Sequence, residues 1–298
     1  MRRLFDKSLR RNLVPISLIV PAFSVVFILS ALGFIWLMRL SLTDLKFGDS
    51  VDKANWVGLD NYIWLLTNQF STFWDAVKTT GIYTLGTLIP ELVLGFSLAL
   101  LLDRPMRGRS IFTAVLIIPI VLMPSMVGMI WRLYFSPEGL VNYFVETFTG
   151  QRFNWYGTDL ALLAVILVDI WQWTPFFVLI LLAGLQTLPK EPFEAARVDG
   201  ASRFQLFRHL TLPLMMPLIL TSTILRFMDV LRIFDVIFVM FGGGPGTATT
   251  TLPLFVYRTT LVSEQMGRGS AASVMLIIMI VALTYLLIRL RERSRFEA

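Results

Sequence analysis

At 298 residues, 56% of them hydrophobic and with a mean hydropathy of +0.71, the chain carries more apolar side chain than a soluble globule could hide, so the bilayer must be its solvent. The absence of cysteine excludes disulfides and thiolate metal sites, and a single histidine, His209, excludes a histidine metal cluster. The net charge of +6 is explained below by topology, and nucleic-acid binding is rejected on that ground.

In chain order, Arg2, Arg3, Lys7, Arg10 and Arg11 precede an apolar run from Leu13 to Leu37. That run exceeds the apolar core of a secretory signal and is followed by no small-residue cleavage site, so it reads as an uncleaved first span behind a cytoplasmic segment, residues 1–12. The interval from Arg39 to Lys78 holds Asp44, Asp49, Asp52, Asp60 and Asp75 together with Trp56, Tyr62, Trp64 and Trp74, which suits an outer loop with interfacial helices. A second span, Thr79 to Leu102, ends at Asp103, Arg104, Arg107 and Arg109. The third, Ser110 to Tyr134, should be kinked by Pro119 and Pro124, with neighbouring helices or water satisfying the freed carbonyls.

Residues 136–158 are polar and aromatic, hence outside, and a fourth span follows from Leu160 to Leu188. The fifth runs from Leu214 to Phe241. Gly242 to Gly246 then forms a glycine-proline turn, and residues 247–258 a re-entrant or interfacial piece. The sixth span, Ser270 to Leu290, closes a transmembrane region of residues 13–290, and a tail at 291–298 returns inside. The four inner segments carry five, three, four and four Lys and Arg, against a sparser set on longer outer ones. Positive-inside placement and an even number of spans agree on cytoplasmic termini.

The polar interval between spans four and five, residues 188–213, has local signals of its own. Pro192 suits a first helical turn, Gly200 a helix stop with φ > 0, and Ser202 with Gln205 has capping-box spacing at a second start. It therefore reads as helix, glycine turn, helix. Its run Glu194, Ala195, Ala196, then Asp199, Gly200 and Ala201, ending in Leu212 and Pro213, resembles the EAA loop of permease subunits in binding-protein-dependent ABC importers. Residues 168–188 and 225–254 are similar to the branch that imports disaccharides, oligosaccharides, polyols and glycerol phosphates.

The resemblance implies an all-α membrane protein of the type I ABC importer permease fold, with six transmembrane helices, in a bacterial or archaeal cytoplasmic membrane. It implies partners as well: a second homologous permease, two copies of an ABC ATPase, an extracytoplasmic solute-binding protein and a sugar or polyol. No cofactor is expected in this chain, because ATP and Mg belong to the ATPase partners and the GGGPG run lacks the Lys and Ser/Thr of a P-loop. Glu194, Ala195, Ala196, Asp199, Gly200, Phe204 and Phe207 are the expected ATPase-coupling residues. Small alanines permit close approach, Gly200 permits the turn, and the acids offer charge to a partner. The same resemblance, aligned on Trp171, Pro175 and the Gly-Gly-Pro at 243–245, carries a sugar path onto Gln172, Trp173, Phe176, Arg226, Val230 and Ile233.

Charges inside spans are costly and should face protein or water. Arg226, Asp229, Arg232 and Asp235 follow one another at three-residue steps, so opposite charges can meet along the helix. A self-neutralising ladder and a role for Arg226 or Asp229 at the substrate path both remain open, with Arg232, Asp235 and Asp169 as gate or structural charges. For Asp169 and Glu91 internal hydrogen bonding is favoured. Trp171 and Trp173 are two residues apart and cannot share a helix face. Met123, Met126 and Met129 read as packing. The competing classes are a self-sufficient secondary carrier using the membrane acids for protons, a membrane scaffold without a solute path, and an ABC permease for a non-sugar solute.

Overall fold

A peptide group inside a bilayer has no water to bond, so uncharged runs of Leu, Ile, Val and Phe close their hydrogen bonds internally as helices. The structure is a computed structural model that describes the backbone of residues 2–296 and the side chains of residues 19–289. The basic side chains of segment 1–12 and of the tail 291–298, on which the cytoplasmic placement of both termini was argued, lie outside the described residues.

The helices are α1 (Arg2–Ser41), α2 (Asp60–Thr67), α3 (Phe73–Leu102), α4 (Arg109–Val121), α5 (Pro124–Tyr134), α6 (Leu140–Thr149), α7 (Ala161–Gln186), α8 (Glu191–Val198), α9 (Arg203–Leu206), α10 (Leu212–Val230), α11 (Asp235–Phe241), α12 (Leu252–Tyr257) and α13 (Met266–Phe296). No strand occurs among the described residues, where one isolated bridge joins Thr43 and Trp56. Among the described residues, five helical stretches are long and apolar enough to cross a membrane, namely Ile19–Ser41, Phe73–Leu102, Ala161–Gln186, Arg203–Val230 and Met266–Arg289. The pair α4 and α5 makes a sixth crossing if the two halves are taken as one span.

Two spans expected as single helices are divided. α4 and α5 are bent by 97° at Leu122 and Met123, both of which have extended backbone. Pro124 forces this, because its ring drives the preceding residue out of the helical region and it has no N–H to continue the ladder. The fifth span stops at Val230 and restarts as α11 after residues 231–234. At its other end it begins earlier than expected: α9 runs through a wide turn at Phe207–Thr211 into α10. The wide turn accommodates Pro213, which has no N–H to return to His209.

By contact the chain divides into residues 1–68 with 256–275, and residues 69–255 with 276–298. In the second unit α3 lies along α7, and Gly95 sets their approach: a Cβ there would collide with Cβ of Phe177. Gly184 does the same for α10, because a Cβ would run into Leu218 and Met215. Without a hydrophobic drive between helices in lipid, such small residues allow the dispersion contacts that hold a bundle. Leu88, Ala99, Phe177, Leu181, Met215 and Ile219 fill the resulting core.

Candidate functional site

Three helices of the second unit each bring a charged residue to one point. Arg226 of α10 is only 2% exposed, and Glu91 of α3 and Asp169 of α7 are fully buried. The guanidinium makes a fork with Glu91, Nε to Oε2 at 2.9 Å and Nη2 to Oε1 at 2.9 Å. Nη2 also donates to Asp169 Oδ2 at 2.6 Å, and Nη1 to Asp229 Oδ2 at 2.7 Å. Trp173, one helical turn beyond Asp169, covers the flat face of Arg226, with the guanidinium carbon 4.4 Å from its ring centroid. Charge-assisted forks of this kind are the strongest polar contacts a protein makes, and burial makes each partner's removal expensive.

The cluster has one open side. The Asp229 carboxylate is 48% exposed while the other members are sealed, so it is the acid that a solute could reach. Asp169 spends only Oδ2 on Arg226. Its Oδ1 and the buried Tyr83 hydroxyl complete no hydrogen bond of standard geometry among the described residues, although the two side chains lie close enough to couple electrostatically.

Asp169, Trp173, Arg226 and Asp229, four of the residues singled out in the sequence, thus meet at one place, and Phe176 joins them through an edge contact to Trp173 at 6.5 Å. The others do not. Gln172 is buried, and its Nε2 donates to Leu122 O at 3.2 Å, satisfying a carbonyl freed at the α4–α5 break. Val230 is buried, Ile233 lies in the link after α10, and Arg232 folds back to donate to Met228 O at 3.1 Å. Of the charge ladder only the Arg226–Asp229 step pairs, because the helix ends at Val230 and Asp235 opens α11. Trp171 turns away from Trp173 to meet Trp131 edge-on. Met123, Met126 and Met129 are 50% to 63% exposed, so the expected packing is absent within this chain.

The 188–213 interval forms helix α8, a left-handed Gly200 at φ 83°, and helix α9 behind a complete capping box between Ser202 and Gln205. Glu194, Ala195, Asp199 and Phe204 are exposed, while Phe207 turns inward against Phe96, ring centroids 5.9 Å apart. One residue was missed in the sequence. Val198 is 87% exposed on α8, an apolar residue that the run EAARVDG displays. Glu91, for which internal hydrogen bonding is favoured from the sequence, is bonded internally, and its partner Arg226 is one that nothing local in the sequence marks.

The glycine-proline turn is tied down by its own threonines. Thr249 donates to Gly244 O and Thr250 to Gly243 O, both at 2.8 Å, and Thr80 on α3 accepts from Leu252 N.

Residues 79–294 match the family described as binding-protein-dependent transport system inner membrane component. The chain is 36% identical over 280 residues to a probable ABC transporter permease protein, y4oQ, of Sinorhizobium fredii, covering 92% of this chain and 90% of that one. It is 34% identical over 284 residues to the trehalose/maltose transport system permease protein MalF of Thermococcus litoralis, covering 93% of each. In fold it is similar to a chain of a bacterial ABC transporter that imports the acidic polysaccharide alginate, with a TM-score of 0.82 and 21% identity over 98% of this chain and 99% of that one.

Proposed function

The chain belongs to the binding-protein-dependent transport system inner membrane components and is a membrane-spanning permease of an ABC importer; from that premise we propose that it carries a sugar or polyol and forms half of the path with a second, homologous permease. Two ATPase subunits bind below it in the cytoplasm of a bacterium or archaeon, and a solute-binding protein delivers cargo from outside. ATP and Mg are held by the ATPases. The kinship with a trehalose/maltose permease supports a carbohydrate cargo.

The observation that carries the coupling role is the exposed turn at 188–213, where Val198 at 87% and Phe204 at 68% exposure stand beside Glu194 and Asp199. Exposed apolar residues set among exposed charges of both signs, Glu194, Arg197, Asp199 and Arg203, make a surface for a protein groove. Closure of the ATPases on ATP moves α8 and α9, and α9 runs without interruption into α10, so the motion reaches Arg226 directly. Because Arg226 is bonded to α3 and α7 as well, the three helices move together there, and the half-buried Trp173, Phe176 and Asp229 form the wall that the solute passes.

Gentle affinity purification of the chain from its native membrane, followed by mass spectrometry, tests this. Recovery of an ATPase and a second permease is the expected result, and the associated binding protein then identifies the sugar by thermal shift against a panel. Recovery of this chain alone, still transporting after reconstitution, would overturn the proposal.

A further inference from the structure

A second polar site lies in the first unit, whose residues do not include the Arg226 cluster. A cavity of about 400 Å³ is bounded by Asp44, Lys46, Asp60, Trp64, Gln265 and Arg268, among others. It is built where two membrane-crossing stretches end, Ile19–Ser41 and Met266–Arg289. Asn61 of α2 pins these ends by donating to Ser41 O at 2.9 Å and Thr43 O at 2.8 Å, and Gly267 N donates to Leu45 O at 3.0 Å. Gly267 allows this close approach, since a Cβ would strike Thr43 O. The cavity therefore sits at the level where hydrocarbon gives way to water.

The adjoining helix fits that level. Leu59, Ile63 and Leu66 recur at helical spacing around α2 and are 41% to 63% exposed, while Asn61 and Leu65 are buried beneath them. Trp56 stands 67% exposed beside them in sequence. An apolar stripe with an aromatic at a span end is the pattern of an interfacial helix lying in the headgroup layer.

Inside the cavity both signs of charge are present. Arg268 stacks its flat face on Trp64, 4.0 Å from the ring centroid, and makes one hydrogen bond, Nη1 to Gln265 Oε1 at 2.8 Å. No carboxylate pairs with it among the described residues, so its remaining edge N–H groups suit an anion with two oxygens. Asp44 is held by Asn55, whose side chain and backbone N–H donate at 3.0 and 2.7 Å and keep the carboxyl below its ordinary range. We propose that this cavity seats the headgroup of an aminophospholipid, its phosphodiester on Arg268 and Lys46 and its ammonium on Asp44 and Asp60. A phosphatidylcholine headgroup has methyls where those carboxylates need N–H donors, and a phosphatidylglycerol headgroup brings no positive charge to them.

Native mass spectrometry of the full-length chain, in the complex it purifies with, tests this in micelles supplied with equal phosphatidylethanolamine, phosphatidylcholine and phosphatidylglycerol of the same acyl chains. Phosphatidylethanolamine should be retained about tenfold over the other two, the factor expected for charge-assisted hydrogen bonds. Arg268→Gln should lower retention of all three lipids, since each brings the same phosphodiester, Arg268→Lys should restore part of it, and Asp60→Asn should erase the preference by raising phosphatidylglycerol toward parity. Retention indifferent to the headgroup overturns the proposal, as does a wild-type preference for phosphatidylglycerol. Displacement of the lipid by equimolar soluble glycerophosphoethanolamine also overturns it, by making a free zwitterion the ligand. The wild-type comparison stands even if a variant fails to fold.

Discussion

Arg226 is nearly sealed from solvent and answers to three carboxylates, two of them sealed with it. Deleting a buried cation strands the acids it neutralised, at a cost of about 3–5 kcal/mol, whereas removing both sides of the pair together costs far less. Arg226→Met should therefore lower the melting temperature of the detergent-solubilised protein strongly, and Arg226→Met combined with Glu91→Gln should recover part of the loss. Equal melting of the single variant and the wild type would show that the cluster does not brace the bundle. Asp229→Asn should melt close to wild type, because its half-exposed carboxylate is solvated in either state. Its effect belongs in uptake of the sugar identified from the binding protein. Glu91 and Asp169 were legible in the sequence as membrane acids in need of a partner. Their shared partner was not, since it lies 135 and 57 residues away along the chain and is chosen by how three helices rotate against one another.

At the level of elements, the two broken spans differ in how they were announced. Pro119 and Pro124 marked the α4–α5 region, and the structure turns the expected kink into a 97° bend whose open carbonyl at Leu122 is met by Gln172. Gln172→Leu keeps the volume and removes the donor, leaving a part-buried carbonyl without its partner, so it should cost about 1 kcal/mol in a denaturation series. No change in that series would mean water serves the carbonyl equally well. The break after Val230 had no such marker, because Leu231, Arg232, Ile233 and Phe234 include neither Gly nor Pro. Helix contact depends equally on small residues. Gly95→Val should separate α3 from α7 and lower the melting temperature, while Gly81→Ala, on the same helix with nothing within 4 Å, should leave it unchanged or raise it slightly. Equal behaviour of the two would remove Gly95 from the contact.

For the molecule as a whole, the proposed coupling runs from the 188–213 turn through α9 into α10, the helix that carries Arg226. Gly200→Pro should abolish transport-linked ATP hydrolysis in the reconstituted importer, because proline cannot take φ 83° and the turn must reopen. Glu194→Lys should do the same by reversing a charge on α8. Both should still insert and assemble to the membrane stage, as the altered residues are exposed. Normal hydrolysis from a stably inserted Gly200→Pro variant would remove the turn from the coupling path. The sequence by itself determined the all-helical membrane class, the approximate spans and the helix–turn–helix at 188–213. Each of these follows from local causes: hydrocarbon demands internally bonded backbone, glycine permits φ > 0, and Ser202 caps the helix that follows it. Only the tertiary structure decided that Arg226 joins Glu91 to Asp169, that Gln172 serves the α4–α5 break, and that Lys46, Asp60 and Arg268 line one cavity. Those meetings depend on the depth and rotation at which whole helices pack, and no periodicity along a single strand of sequence encodes either quantity.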